Sequence, residues 1–294
     1  MKFLLLIPFL LVSVISRAQV SQDTALLRVE TIDGNEYIGK IISIDAQNVV
    51  LNTDLLGIIT LRKSTIKSMT PVYGSQIKEG VLWFENPQST RYFWQPNGYG
   101  LKKGEAYYQN VWIFFNQVSY GVTDNFLIGA GMVPAFLFAG APTPVWITPK
   151  FSIPVVKDKL NVGVGGLMGT VIGESQSGFG LVYGTSTLGD RNTNMSLGVG
   201  YGYLSGDWAN APVITLSGMI RTGQRGYLLT ENYFISTSEE DLLLLFFGGR
   251  RLIKNVGLDF GLMFPLVTGS GFFAIPWLGV TIPFGNTHYT AIKK

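Results

Sequence analysis

The sequence predicts an all-β chain: a transmembrane antiparallel β-barrel of about twelve strands, with ten as the alternative, preceded by a small β module. Three observations carry this prediction. Hydrophobic residues make up 47% of the 294 positions and charged residues only 14%, against about 25% charged in ordinary soluble domains, so little is available to cover a water-facing surface. Beyond the N-terminus no stretch stays apolar for the roughly 20 residues a spanning helix needs, and the mean hydropathy of +0.28 is low for a bundle of such helices. From residue 88 onward, segments of about 10 to 15 residues alternate apolar with small or polar residues and are separated by polar turns, the pattern of a barrel wall. The high content of Gly (36 residues) and of aromatics (13%) suits bent strand positions and interfacial belts.

The chain opens with Met1-Lys2 and an apolar run from Phe3 to Ile15, followed by Ser16-Arg17-Ala18. Small residues at the two positions read by a signal peptidase make 1–18 a secretory signal peptide, with cleavage before Gln19. The expected location is the bacterial outer membrane, with the N-terminal module in the periplasm. The chain has no cysteine, so disulfides and thiol chemistry are excluded. A net charge of +3 without a basic stripe argues against nucleic acid as a partner.

The small module spans 24–72. Leu26 to Ile32 alternates, and Asp33-Gly34-Asn35 supplies a hairpin turn. Tyr37 to Ile44 is the next strand, with Gly39 permitting a bend. Asp45-Ala46-Gln47-Asn48 turns the chain into Val49 to Thr53. Gly57 starts Ile58 to Leu61, and Ile66 to Met69 closes the set. Five short strands with bends make a small curved barrel. The stretch ETIDGNEYIGKIISIDAQNVVLNTDLLGIITLRKSTIKSM resembles Sm-like and SH3-like modules over about 45 residues. The resemblance implies the fold, and it implies that 24–72 binds a periplasmic partner or forms a homo-oligomer, as Sm-like rings do. It does not carry over the RNA ligand of many Sm proteins, which an exported copy would not meet.

Residues 73–87, with Gly74-Ser75 and Asn86-Pro87, read as a linker, and 88–285 as the barrel. Its expected strands are 88–96, 105–120, 125–138, 144–156, 160–172, 179–188, 194–205, 212–221, 227–236, 242–252, 256–267 and 272–284. Ten strands is the alternative because 88–96 is weakly patterned and 242–252 is apolar on both faces. Met195, Leu197, Val199, Tyr201 and Tyr203 share one face, opposite Ser196, Gly198, Gly200 and Gly202. Val256 to Leu266 repeats this around Gly257, Asp259 and Gly261. The apolar face should meet lipid and the other face the lumen. Tight charged turns at 121–124, 157–159, 189–192, 223–225 and 254–255 fall at alternate connections and should be periplasmic. The connections near 97–104, 139–143, 173–178, 206–211, 237–241 and 268–271 should be extracellular. A polar tail, 286–294, follows.

The last strand ends on Phe284, which resembles the C-terminal signal read by the outer-membrane assembly machinery. That machinery and outer-membrane lipid are the implied partners. LKKGEAYYQNVWIFFNQVSYGVTDNFLIGAG (101–131) resembles a group of uncharacterised outer-membrane barrel proteins of Bacteroidota, a lineage that the signal cleavage site also fits. That resemblance implies placement and no activity.

Chemistry is sparse. The one histidine, His288, lies in the tail, which removes a His-based catalytic site from the barrel. A site needing several His or Cys ligands for a metal is excluded by inventory. No cofactor and no catalytic residue is assigned, and the chain is expected not to be an enzyme. Charged residues within strands should face the lumen, because an ionisable group facing lipid at the midplane costs about 2–4 kcal/mol. Lys150, Glu231 and Asp259 are the lumen-facing candidates. They either filter solutes or form ion pairs that brace the wall; the second reading is the commoner. Of the adjacent Arg250 and Arg251, one should lie at the membrane interface. Trp94, Trp112, Trp146, Trp208 and Trp277 are candidates for the interfacial aromatic belts, with stacking on a sugar or lipid chain as the alternative. The lumenal glycines (163, 165, 198, 200, 202, 257 and 261) either leave a water-filled pore or make room for large side chains. The leading expectation is a passive or weakly selective conduit for small solutes, porin-like in kind. The alternatives are a structural or adaptor barrel that anchors the module, and a lipid-active enzyme using Asp259 and Glu231.

Overall fold

A computed structural model describes residues 26–72, 77–78, 81–83, 86–175, 177–236, 241–253, 255–267 and 271–285. The expected signal peptide and tail, with His288, and residues 73–76, 79–80 and 84–85 of the expected linker lie outside the described residues. No described helix is long and apolar enough to cross a membrane. The chain divides into two compact units between Lys67 and Ser68.

The N-terminal sheet contains β1 (Leu26–Thr31), β2 (Glu36–Ile44), β3 (Asn48–Thr53), β4 (Gly57–Arg62) and β5 (Ile66–Val72) in the order β4-β3-β2-β1-β5. β1 through β4 form antiparallel ladders, each strand with the next. β4 and β5 are the edges. Val29 and Thr31 of β1 and Val49, Leu51 and Thr53 of β3 alternate into its buried face, as period 2 requires. Gly34 turns the first hairpin at a φ of +88°, and a Cβ on Gly39 would lie 2.5 Å from the Asn52 carbonyl oxygen. Asp45 Oδ1 accepts the backbone N–H groups of Gln47 and Asn48, each at 2.7 Å. These bonds hold its carboxyl below the usual aspartate pKa of 3.8.

After β5, whose residues from Ser68 onward fall in the second unit, comes a short hairpin, β6 (Ile77–Lys78) and β7 (Val81–Leu82). The wall then runs β8 (Glu105–Val111), β9 (Phe115–Gly121), β10 (Phe126–Met132), β11 (Thr143–Val156), β12 (Leu160–Ile172), β13 (Phe179–Gly189) and β14 (Asn194–Leu204). After a two-residue flap, β15 (Asp207–Trp208), it continues with β16 (Val213–Arg221), β17 (Gly226–Ser236), β18 (Asp241–Ile253), β19 (Val256–Val267) and β20 (Ile275–Gly285). Neighbouring wall strands pair antiparallel, and β20 pairs back to β8, from Gly279↔Val111 to Gly285↔Glu105. The result is a closed barrel of twelve strands, with β15 pairing only to β14. Closure satisfies every strand edge, which a hydrocarbon environment demands.

The twelve are not the twelve expected. Segment 88–96 is not a wall strand; it carries turns, bends and the isolated bridge Arg91↔Pro96. Segment 105–120 is two strands, β8 and β9, folded at 112–114. Trp112 and Ile113 adopt φ values of 52° and 69° there, the conformation of a primed hairpin turn. Such turns are normally marked by Asn-Gly or Asp-Gly, and here the chain makes one from Trp-Ile, so the break carries no local signal. Segment 125–138 ends as a strand at Met132, and α1 (Pro134–Phe138) follows.

Outward positions are apolar from β9 round to β20: Val118, Ile128, Phe151, Val164, Leu197, Leu216, Phe247 and Leu278 are exposed, while the residues between them turn inward. An exposed apolar belt around a closed barrel is the surface that lipid covers. β8 starts and β20 ends at one rim. The connections at that rim (122–125, 157–159, 190–193, 222–225 and 254–255) are short, whereas 133–142, 205–212 and 268–274 at the opposite rim are longer. The expected connection at 97–104 belongs to neither rim, because this stretch lies inside.

Candidate functional site

Residues 86–104 fold into the barrel and fill part of its lumen. The chain enters at the tight-turn rim, where Asn86 Nδ2 reaches Met219 Sδ (3.2 Å) near the end of β16. It reverses at 92–95, where the Tyr92 N–H donates to the Gln95 carbonyl and the Asn97 N–H to the Thr90 carbonyl, each at 3.0 Å. It returns to the same rim, where the Gly104 N–H donates to the Gly121 carbonyl at 2.8 Å. This plug contains Tyr92 and Phe93, both fully buried, and Gln88 and Asn97, also fully buried.

Glu231 of β17 holds the tip. Its Oε2 accepts the consecutive backbone N–H groups of Phe93, Trp94 and Gln95, each at 2.9 Å, and Tyr233 Oη donates to its Oε1 at 2.7 Å. Three N–H groups converging on one oxygen form an anion-binding nest, so a fully buried carboxylate is satisfied here without a cation. Arg250 of β18 holds the stem. Its Nε and Nη2 donate to the two Asp259 carboxylate oxygens of β19 at 2.6 and 3.0 Å. Its remaining donors reach the Tyr92 carbonyl (2.7 Å), the Gln88 carbonyl (2.8 Å) and Asn86 Oδ1 (3.2 Å). Arg250 and Asp259 are each 1% exposed. This buried ion pair has the bidentate geometry and full donor use that offset its desolvation. Arg251, the next residue, is exposed.

Lys150 of β11 bridges the two arms. Its Nζ donates to the Thr90 and Tyr99 carbonyls at 3.3 and 2.5 Å. Neutral contacts complete the fit. Tyr92 Oη donates to Asn194 Oδ1 (2.7 Å) and shares a hydrogen bond with Ser196 Oγ (2.6 Å). Gln95 Nε2 donates to Thr215 Oγ1 (2.5 Å), and the Gly98 N–H donates to Thr187 Oγ1 (2.7 Å). A Cβ on Gly98 would lie 2.5 Å from the Asn161 carbonyl oxygen, so only glycine lets the plug lie flat against β12. On the wall side, a Cβ on Gly163 would stand 3.1 Å from the Asn97 carbonyl oxygen. The lumenal glycines at 163, 198 and 257 face the plug, so this space is occupied by the chain itself.

Lys150, Glu231 and Asp259 therefore all point inward, and each meets the plug or its anchor. The tryptophans depart from the expected belts. Trp146 and Trp277 are 6% and 5% exposed and stand inside the barrel with Trp94 and Trp112. Trp112 lies 4.8 Å from Trp277, Phe93 5.7 Å from Trp277 and Trp94 6.5 Å from Trp146, centroid to centroid. These rings, with Phe115 and Phe246, pack around the aromatic plug tip, where burial outweighs what an interfacial position offers. Trp208, on the β15 flap, is exposed. Period-2 reading alone could have found Trp146, which shares its face with Lys150. The sequence marks Arg250 only as one of an adjacent pair and does not mark Tyr92 or Gln95; only a partner inside the lumen gives these three a role.

The plug leaves a cavity of about 120 Å³ along the β8–β14 side, bounded by Thr90, Arg91, Trp94, Gln95 and Pro96 of the plug and by wall residues from Tyr107 to Tyr233. Among the described residues, no group of three or more His, Asp or Glu could hold a metal ion.

The wall and its contents define the class: an outer-membrane-type β-barrel closed by its own chain. No known protein family and no curated protein matches the sequence. Among solved structures, the chain is similar to the outer-membrane expressed OmpT of Vibrio cholerae, with 11% identity and a TM-score of 0.34 over 89% of this chain and 94% of that one.

Proposed function

We propose that the barrel is a closed outer-membrane anchor that tethers the N-terminal β module on the periplasmic side, and that it is not an open conduit in its resting state. One observation carries this reading: 86–104 is bound to the wall through buried charged groups on β11, β17, β18 and β19. Withdrawing it into water would strip Glu231 and Arg250 of partners, and each such buried loss costs several kcal/mol. The plug is thus core rather than a loose lid. The orientation is supported by the short turns and both barrel ends sharing one rim, as outer-membrane barrels have short periplasmic turns. Glu231 and Asp259 spend their oxygens on the plug and on Arg250, which supports a structural rather than a catalytic role. The edge strands β4 and β5 of the module, with Ile58 67% exposed on β4, support pairing with a periplasmic partner or a second copy through an Sm-like mode.

A gated conduit is the second reading. It is favoured by the plug entering and leaving at one rim, so that it can withdraw without threading. Single-channel recording in planar bilayers separates the two. The anchor reading expects no conductance from the full mature chain and conductance after deletion of 86–103. Steady conductance from the full chain would reject it, and opening only when the N-terminal module is pulled or bound would favour the gate. For the adaptor role, deletion of 24–72 should change oligomer size or abolish partner capture.

A further inference from the structure

We propose that the cavity beside the plug binds a small organic anion: a carboxylate carried on an apolar body of about benzene size. Three of its lining residues, Thr90, Arg91 and Tyr107, carry buried polar atoms without a partner, and a fourth, Lys150, is a buried cation. Arg91 is 6% exposed. Its Nη1 donates to Gln109 Oε1 at 2.6 Å and its guanidinium lies 5.3 Å over the Tyr107 ring, while its Nε has no partner. Thr90 Oγ1 and Tyr107 Oη are likewise buried without partners. Lys150, 3% exposed, is met only by two backbone carbonyls. Its link to the Thr90 carbonyl ties it to the residue next to Arg91.

Among the described residues neither cation has a carboxylate within ion-pairing distance, in contrast to Arg250, every donor of which is used. Buried charge is tolerated when paired and hydrogen-bonded, and a ligand carboxylate would supply both the countercharge and acceptors for the free Nε and hydroxyls. Much of the remaining lining is apolar, with Trp94, Leu127, Leu167, Leu181, Val199 and Val213, interrupted by neutral polar groups such as Gln95, Gln117, Thr148 and Thr215. A bare inorganic anion would leave that surface unused, and a neutral hydrocarbon would leave the cations unmatched. The cavity of about 120 Å³ is somewhat smaller than the dry cavity of about 150 Å³ that accepts benzene, so the apolar body is at most benzene-sized. Lining by a few convergent polar groups in an otherwise apolar hollow is the usual composition of a small-molecule site.

The test uses the full mature chain folded in detergent micelles, titrated with benzoate and hexanoate and with their neutral counterparts benzyl alcohol and hexanol. Binding is followed by calorimetry and by tryptophan fluorescence, because Trp94 lines the cavity. The acids should bind saturably and at least tenfold more tightly than the alcohols. Arg91→Gln should weaken the acids tenfold or more. Thr90→Val and Tyr107→Phe remove an unpartnered hydroxyl at nearly constant shape, so they should fold at least as well as the parent yet bind the acids two- to fivefold more weakly. These two variants carry the test if Arg91→Gln does not fold. Equal affinity for acid and alcohol, no saturable binding of either acid, or unchanged affinity in both Thr90→Val and Tyr107→Phe would overturn the proposal.

Discussion

The two sides of the lumen treat charge differently. Along β17–β19 every buried ionised group is matched: Glu231 by three N–H groups and a tyrosine, and Arg250 by Asp259 and plug carbonyls. Along β8–β14 Lys150 and Arg91 meet only neutral groups, and a cavity stands beside them. The first side fixes the plug, and the second keeps interaction capacity in reserve. A filled lumen thus need not be uniformly committed to stability.

Substitutions in order of expected effect can break this contrast. Asp259→Ala strands the Arg250 guanidinium and should cost about 3–5 kcal/mol, read as loss of heat-resistant folded barrel on gels and a lowered urea midpoint. Glu231→Ala leaves three N–H groups and the Tyr233 hydroxyl without their acceptor and should cost about 4 kcal/mol, at roughly 1 kcal/mol per orphaned buried donor. Lys150→Met deprives two carbonyls of a donor but also removes an unpaired buried cation. These terms oppose, so its unfolding midpoint should stay within about 1 kcal/mol of the parent; a loss as large as that of Asp259→Ala would erase the distinction between the sides. Ile113→Asn relieves a β-branched residue held at positive φ and should stabilise the barrel by about 1 kcal/mol, whichever side limits unfolding. Asp45→Ala, in the other unit, should speed amide exchange at Gln47 and Asn48 near neutral pH and leave barrel unfolding unmoved. Because the folded pKa of Asp45 is depressed, its contribution is present above the unfolded value and is lost as the pH falls below 3.8. The parent should therefore approach the variant's exchange rates only in acid.

Alternation made the wall legible. Where side chains stand perpendicular to a sheet, the direction of Ser196, Gly257 or Asp259 follows from its neighbours in sequence, and the tight turns at 157–159 and 190–193 announce themselves in charged and small residues. Twelve strands emerged through two compensating misreadings. Segment 88–96, weakly patterned as it is, counts as one strand too many, and the fold at 112–114 makes up for it unseen because Trp-Ile carries no turn signature. The plug itself was not legible. Its sequence is aperiodic, with Asn86-Pro87 and Pro96-Asn97-Gly98, and says loop without saying where the loop goes. That information resides in Glu231, Arg250 and Lys150, more than fifty residues away, whose alternation shows which way they point but not what they meet. The same gap explains the tryptophans, since an inward aromatic near a rim and an interfacial one have the same local pattern until the lumen is known to be occupied.

The position of the seam has a consequence for assembly. The pairing that joins the two ends of the wall runs between 105–111 and 279–285, and the plug is the stretch of chain immediately before the first of these strands. A wall that had already closed would have to pass Tyr92, Phe93 and Trp94 through its rim past a saturated polar interior. A wall still open between β8 and β20 can instead wrap around a segment held at its leading edge. The plug would then already tie Lys150 on one side of the wall to Arg250 on the other when the seam shuts.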